Sequence, residues 1–255
     1  MEVHAHTHTV DLDSHRGRKK WTHYFWEFLM LFLAVFCGFL AENFREHGAE
    51  QRREKQFMKS MVEDLKQDIT EINLKSDNIY WAIAFQDSVL NFLFSEKLSD
   101  STIKGIYTLT PGANVSIPII IQQRTAEQLK NSGGLRLIQN KAVTDSLANY
   151  WYSCELLQNT LLVNYEADQK IAKDLAMSLI DYDYYQDRNP YSFPTLLKNH
   201  QLRLISNDPA LLKKLGNRLV NMRHQLSGPF RLSLEKIKSQ AINLITLINK
   251  EYHLK

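Results

Sequence analysis

Residues 28–41 read Phe-Leu-Met-Leu-Phe-Leu-Ala-Val-Phe-Cys-Gly-Phe-Leu-Ala, without a charge. As a helix this run spans roughly 21 Å, short of the ~30 Å hydrocarbon core of a bilayer. Extension to Tyr24 and Phe44 supplies the missing length and takes in Glu27 and Glu42. Each lies near one end, where a carboxylate can reach the headgroups. Trp21, Tyr24 and Trp26 flank the N-terminal end like an interfacial aromatic belt. The expectation is one transmembrane helix over residues 21–44. A cleaved signal peptide is the first alternative, but it needs small residues near the end of the run. No Ala-x-Ala occurs there, and Phe36 spoils a lipoprotein-type site before Cys37. A core helix of a soluble protein is the second alternative; the apolar density favours an uncleaved anchor.

Arg16, Arg18, Lys19 and Lys20 stand directly before the span, whereas mixed charge follows it (Glu42, Arg45, Glu46, Glu50, Arg52, Arg53 and Glu54). The positive-inside rule then puts the N-terminus in the cytoplasm. Residues 1–20 form a His-rich basic tail. No later segment is apolar enough to span again, so residues 45–255 are expected on the far side, in the periplasm if the cell is Gram-negative.

The remainder is patterned for helices. The chain has only 9 Gly and 6 Pro in 255 residues. Met58, Leu65, Ile72, Ile79 and Leu93 lie on a seven-residue spacing, with Val62, Ile69, Ile83 and Leu90 as the companion series. This is a heptad seam, interrupted by Ser76 and Gln86. The same register projects back to Ala34, Cys37, Ala41 and Phe44, with Gly48 as the weak point of a continuous helix. A second seam runs through Val143, Leu147, Tyr150, Cys154, Leu157, Leu161 and Tyr165, and slips slightly before Ile171. A third begins at Asp208-Pro209, an N-cap followed by proline at the first helical position. Gly228-Pro229 should kink or split that helix. Between the first two seams, β-prone residues flank Pro111-Gly112, which reads as a small β-hairpin at 102–121 or an irregular loop. The predicted fold is all-α: a transmembrane helix continuing into an antiparallel bundle of long amphipathic helices.

The run from Lys19 through Val35, continued by Gly38-Phe39-Leu40-Ala41-Glu42-Asn43, resembles a group of single-span inner-membrane proteins of the Bacteroidota kind, a family of unknown function. Glu127 to Ile138 is similar to a second block of that group, as is the His-rich start. The resemblance implies a Gram-negative inner membrane and adds no catalytic residue.

The candidate sites are few. His4, His6 and His8 alternate, which on an extended chain puts three imidazoles on one side, a set able to hold Zn²⁺, Cu²⁺ or Ni²⁺; a solvated tail is the alternative. Glu27 is an intramembrane ionisable residue, a functional candidate or a snorkelling side chain. Ala34-x-x-x-Gly38 with Ala41 offers a small-residue face for helix packing. Met58, Val62, Leu65, Ile69 and Ile72 extend it as a candidate association seam. Asp181 to Asp187 mixes acids with tyrosines but lacks the glycine and terminal glutamate of a calcium loop. No phosphate loop, nucleophile elbow, HExxH or paired-cysteine zinc motif occurs, so no enzyme and no cofactor are expected. The 31 Lys and Arg are scattered among 28 Asp and Glu, which argues against nucleic acid. The expected role is that of a membrane-anchored interaction or scaffold protein. Its expected partners are the lipid bilayer and either a second copy or another membrane or periplasmic protein. A ligand-sensing module acting through a partner, and metal handling by the His tail, are the alternatives.

Overall fold

The computed structural model describes residues 16–114, 116–185 and 201–254. The chain divides into two compact units, Met1–Arg53 and Glu54–Lys255. One helix, α1 (Arg16–Leu93, 78 residues), runs through the boundary, and Gly48 lies inside it without a break.

In the first unit α1 presents its apolar residues outward. Leu31, Val35 and Phe39 are 64%, 74% and 68% exposed. Phe28, Phe32 and Phe36 form an i, i+4 ladder of stacked rings with centroids 6.3 and 5.8 Å apart. None of the most apolar window is buried inside the molecule. The segment is long and apolar enough to cross a membrane.

The second unit is an all-α bundle. After α1 come α2 (Asp100–Ala113), α3 (Arg124–Asn131) and a 3₁₀ turn at Gly134–Leu137. Two further long rods follow. The first is α4 (Lys141–Leu156), a π-helical turn (Leu157–Leu162) and α5 (Val163–Leu179). The second is α6 (Pro209–Gln225), a π-helical turn (Leu226–Phe230) and α7 (Arg231–Glu251). The caps are those the sequence announces. Asn140 accepts from the Val143 N–H at 3.2 Å, Asp208 accepts from the Ala210 N–H at 2.9 Å, and Gly133 takes a left-handed φ of 67° after α3.

The two rods are antiparallel. Asn140 meets Glu251, Gln240 meets Asn149, and Arg218, Asn221 and Gln225 all meet Asp168. Along this register the two π turns face each other and touch. A π turn inserts a residue and rotates everything after it about the helix axis. A single insertion would swing one apolar stripe out of the interface. Insertions at the same level in both rods keep the stripes facing: Leu147, Tyr150 and Leu157 against Leu226, Leu234 and Ile237, all buried. Gly228-Pro229 therefore marks a π turn inside a continuing rod and splits nothing.

In place of the hairpin expected at 102–121, Asp100–Ala113 is helix and no strand pair occurs among the described residues. Ser99 caps α2 by accepting from the Thr102 N–H at 3.3 Å, and Pro111 and Gly112 lie in its last turns. Packing explains those glycines. Gly105 and Gly112 are seven residues apart, as are Phe92 and Phe85 on α1. A Cβ on Gly105 would stand 2.5 Å from the Phe92 ring, and one on Gly112 would stand 3.0 Å from that of Phe85. The glycines let α2 lie down against α1, and Gln86 donates to the Ala113 carbonyl at 3.1 Å. Beyond it, Ile117, Ile119 and Ile121 are buried while Ser116, Pro118 and Ile120 face solvent. That is the alternation of a half-buried strand, yet the segment has no partner strand among the described residues and packs on helices instead.

Candidate interaction surface

The predicted association seam is consumed inside the bundle. Met58, Val62, Leu65 and Ile72 are buried in the core, and Ile69 packs against it. Burying a side chain of this size stabilises by about 1.5–3 kcal/mol, and the chain's own rods collect that energy. These five residues pack within the chain's own bundle. Ala34, Gly38 and Ala41 are exposed, and a Cβ on Gly38 would meet nothing within 4 Å. Glu27 is exposed as well, and no ion pair joins it to His23 among the described residues. His4, His6, His8 and Asp187 lie outside the described residues. Among those described, no group of three or more His, Cys, Asp or Glu could hold a metal ion. Cys37 and Cys154 are free.

Three acids on α1 do work that the seam pattern conceals. Glu54, Asp64 and Asp68 are 7%, 2% and 1% exposed. Glu54 accepts the Gln139 N–H at 3.0 Å and the Tyr252 hydroxyl at 2.6 Å. Asp64 accepts the Thr125 N–H at 3.0 Å and pairs with Arg124 at 2.5 Å. Asp68 accepts the Gln122 N–H at 2.7 Å and the Tyr150 hydroxyl at 2.6 Å. Each carboxylate satisfies a backbone donor of the irregular path from α2 to α4 that would otherwise be orphaned. Together they latch that path onto α1. Burial pushes the Asp68 carboxyl up to about 6, against the lowering effect of its two donors. Burial also pushes the neighbouring Cys154 thiol up to about 12, so it stays protonated at neutral pH and is a poor nucleophile.

Beside the facing π turns lies a cavity of about 410 Å³, lined in part by Asn164, Asp168, Gln225, Pro229 and Phe230. Asp168 is engaged by Arg218, by Asn221 at 2.5 Å and by Gln225 at 2.5 Å. The wall mixes apolar and polar groups: the Asp168 carboxylate is internally paired, whereas Gln225 Oε1 is buried without a hydrogen-bond partner.

One exposed apolar surface lies on α1. Leu74, Trp81, Phe85 and Phe92 form one stripe along the helix, spaced seven, four and seven. α2 covers Phe92 and much of Phe85 and ends at Ala113. Beyond its end Leu74 and Trp81 are 55% and 62% exposed. Tyr80, 70% exposed, sets its ring edge-on to that of Trp81 with centroids 6.0 Å apart. Tyrosine and tryptophan are the side chains that most often anchor protein interfaces. The seven-residue spacing of Leu74 and Trp81 was readable in the sequence, but only the length of α2 reveals that they stay uncovered.

No protein-family model, curated protein or solved structure matches this chain.

Proposed function

We propose that this protein is a membrane-anchored helical interaction module, docking a partner or a second copy of itself through the bare Leu74–Tyr80–Trp81 surface of α1. The observation that carries the reading is this uncovered aromatic stripe on a helix that also holds an exposed membrane-length apolar segment. Leaving Trp81 and Leu74 in water forgoes burial free energy that a protein partner would recover. In this reading the N-terminal tail is cytoplasmic and residues 45–255 lie across the membrane. The envelope is that of a Gram-negative cell, with the chain in the inner membrane and the bundle in the periplasm, as the resemblance of residues 19–43 implies. The role is that of an interaction or scaffold protein without catalysis.

Alkaline washing and protease treatment test the anchor and its direction. The chain should stay with washed membranes, and the bundle should be digested in spheroplasts but protected in intact cells. Release into the alkaline wash overturns the anchor. Protection in spheroplasts overturns the orientation.

A second reading, a ligand-sensing module acting through a partner, draws on the cavity of about 410 Å³ at the π turns. π turns are frequent at functional sites, and Asn164, Asp168 and Gln225 offer a ligand both donors and acceptors. A screen of small polar solutes by thermal shift separates the two. A solute that stabilises the full chain but not an Asn164→Leu variant supports sensing.

A further inference from the structure

A cleft of about 530 Å³ lies between α1 and the last turn of α7, lined by Lys55, Lys59, Lys66, Glu63, Asn249 and His253 among others. Successive steps of four and seven residues put the three lysines on one face of α1. Among the described residues of the bundle three lysines pair with acids, Lys75 with Glu71, Lys130 with Glu155 and Lys141 with Asp145; what sets this cleft apart is that three unpaired lysines line one wall of it. No ion pair engages Lys55, Lys59 or Lys66 among the described residues. Glu63 is the one acid in the lining. The nearby acids are committed elsewhere, Glu54 to Gln139 and Tyr252 and Glu251 to Asn140.

The opposite wall carries an independent sign. His253 has φ 49°, and it is the one non-glycine residue with positive φ among those described. It occupies the left-handed position just past α7, where the Leu254 N–H closes onto the Asn249 carbonyl at 3.1 Å. Glycine or asparagine ordinarily takes that position. Histidine there accepts backbone strain and sets an imidazole in the lysine-lined cleft.

We infer that this cleft binds a phosphate-bearing ligand with more than one anionic group. Lysine ammonium groups, an imidazole and an asparagine amide all supply donors suited to oxyanions. The rise from Lys55 to Lys66 is roughly 16 Å, too long for a single phosphate to engage every lysine and suited to two or three in a row. The ligand's source is either a lipid with a multiply charged headgroup or a soluble oligophosphate.

The test uses the full chain and two probes: sodium tripolyphosphate added to protein in a neutral detergent, and cardiolipin-doped against purely zwitterionic nanodiscs. Binding is read by calorimetry for the first and by retained lipid in native mass spectrometry for the second. At least one probe should bind, and at least tenfold less well to the triple variant Lys55→Gln/Lys59→Gln/Lys66→Gln. His253→Gln, which keeps a hydrogen-bonding side chain without the imidazole, should weaken the same probe about threefold. Lys213→Gln/Lys214→Gln/Lys236→Gln, the same loss of charge elsewhere on the bundle, should bind as the parent does. Weakening confined to cardiolipin assigns the lipid source, and weakening with tripolyphosphate assigns the soluble one. The inference is overturned if neither probe binds, or if the control triple weakens binding as much as the cleft triple. Circular dichroism and thermal midpoints matching the parent keep either result interpretable.

Discussion

Tyr150 donates its hydroxyl proton to Asp68 across 2.6 Å, with both side chains 1% exposed. The contact ties α4 to α1 beneath the irregular path between α2 and α4. Because burial pushes Asp68 up to about 6, above the ~3.9 of an unfolded chain, the folded state holds this proton more tightly than the unfolded one. Stability from this group is therefore greatest below about pH 4, declines through the window from about 4 to about 6, and is level above it. Asp64 and Glu71, the acids that add to the upward shift, lie on α1 with Asp68; Tyr150 and Cys154 face it from α4. In Asp68→Asn the decline should largely disappear. Urea midpoints of both proteins measured from pH 4 to pH 7 check this, and parallel curves would remove Asp68 as the cause.

Asp64 separates a buried latch from a surface ion pair. Asp64→Ala orphans the buried Thr125 N–H and should cost about 1–3 kcal/mol. Arg124→Ala removes only the ion-pair partner, whose side chain is 59% exposed, and should cost under about 1 kcal/mol. Chemical denaturation of the two variants gives the comparison. Equal losses would mean that the ion pair, and not the backbone amide, is what Asp64 serves.

Gly105→Ala drives a methyl into the Phe92 ring and should destabilise by about 1–3 kcal/mol. Phe92→Leu in the same chain should recover part of the loss, because the clash is with the ring. Gly38→Ala, with open space around it, should leave the stability of the bundle unchanged. Thermal melts followed at the helical band decide all three.

The sequence made the rods legible and left open what buries their stripes. The heptad series from Met58 to Leu93 marks a real apolar stripe, but periodicity states only that a face is buried. It does not say whether the burying surface belongs to the same chain. The β-prone stretch from Thr102 to Thr110 became helix because Gly105 and Gly112 allow close approach to Phe92 and Phe85, a contact invisible to local propensity. The latches were overlooked because acids on an amphipathic helix are ordinarily solvated. The signal was present: Glu54, Met61 and Asp68 recur every seven residues beside the seam, so two of the acids lie close to the buried face. The π turns left only a faint trace, two successive four-residue steps at Leu157, Leu161 and Tyr165 and the Gly228-Pro229 pair. No slip occurs at Ile171, because Ile171 is exposed and the buried face continues through Ala172, Ala176 and Leu179.

The buried seam and the bare stripe make opposite forecasts for mutation. Leu65→Ala hollows the core and should cost about 2–5 kcal/mol, with any loss of association following from loss of fold. Trp81→Ala with Leu74→Ala removes exposed atoms and should change stability by less than about 0.5 kcal/mol while weakening association. Equilibrium unfolding and detergent-phase sedimentation of each variant distinguish the two roles. Association that survives the stripe variant but fails in a still-folded Leu65→Ala would assign the partner to the seam.

The most direct test places a photo-crosslinking residue in the full chain at position 81, and in a second version at the buried position 62, and irradiates intact cells. If the bare stripe of α1 is where this protein meets its partner, position 81 yields a discrete covalent adduct, homodimeric or with another protein, and position 62 yields none. An absence of adducts at 81, or equal adducts at 62, would contradict it.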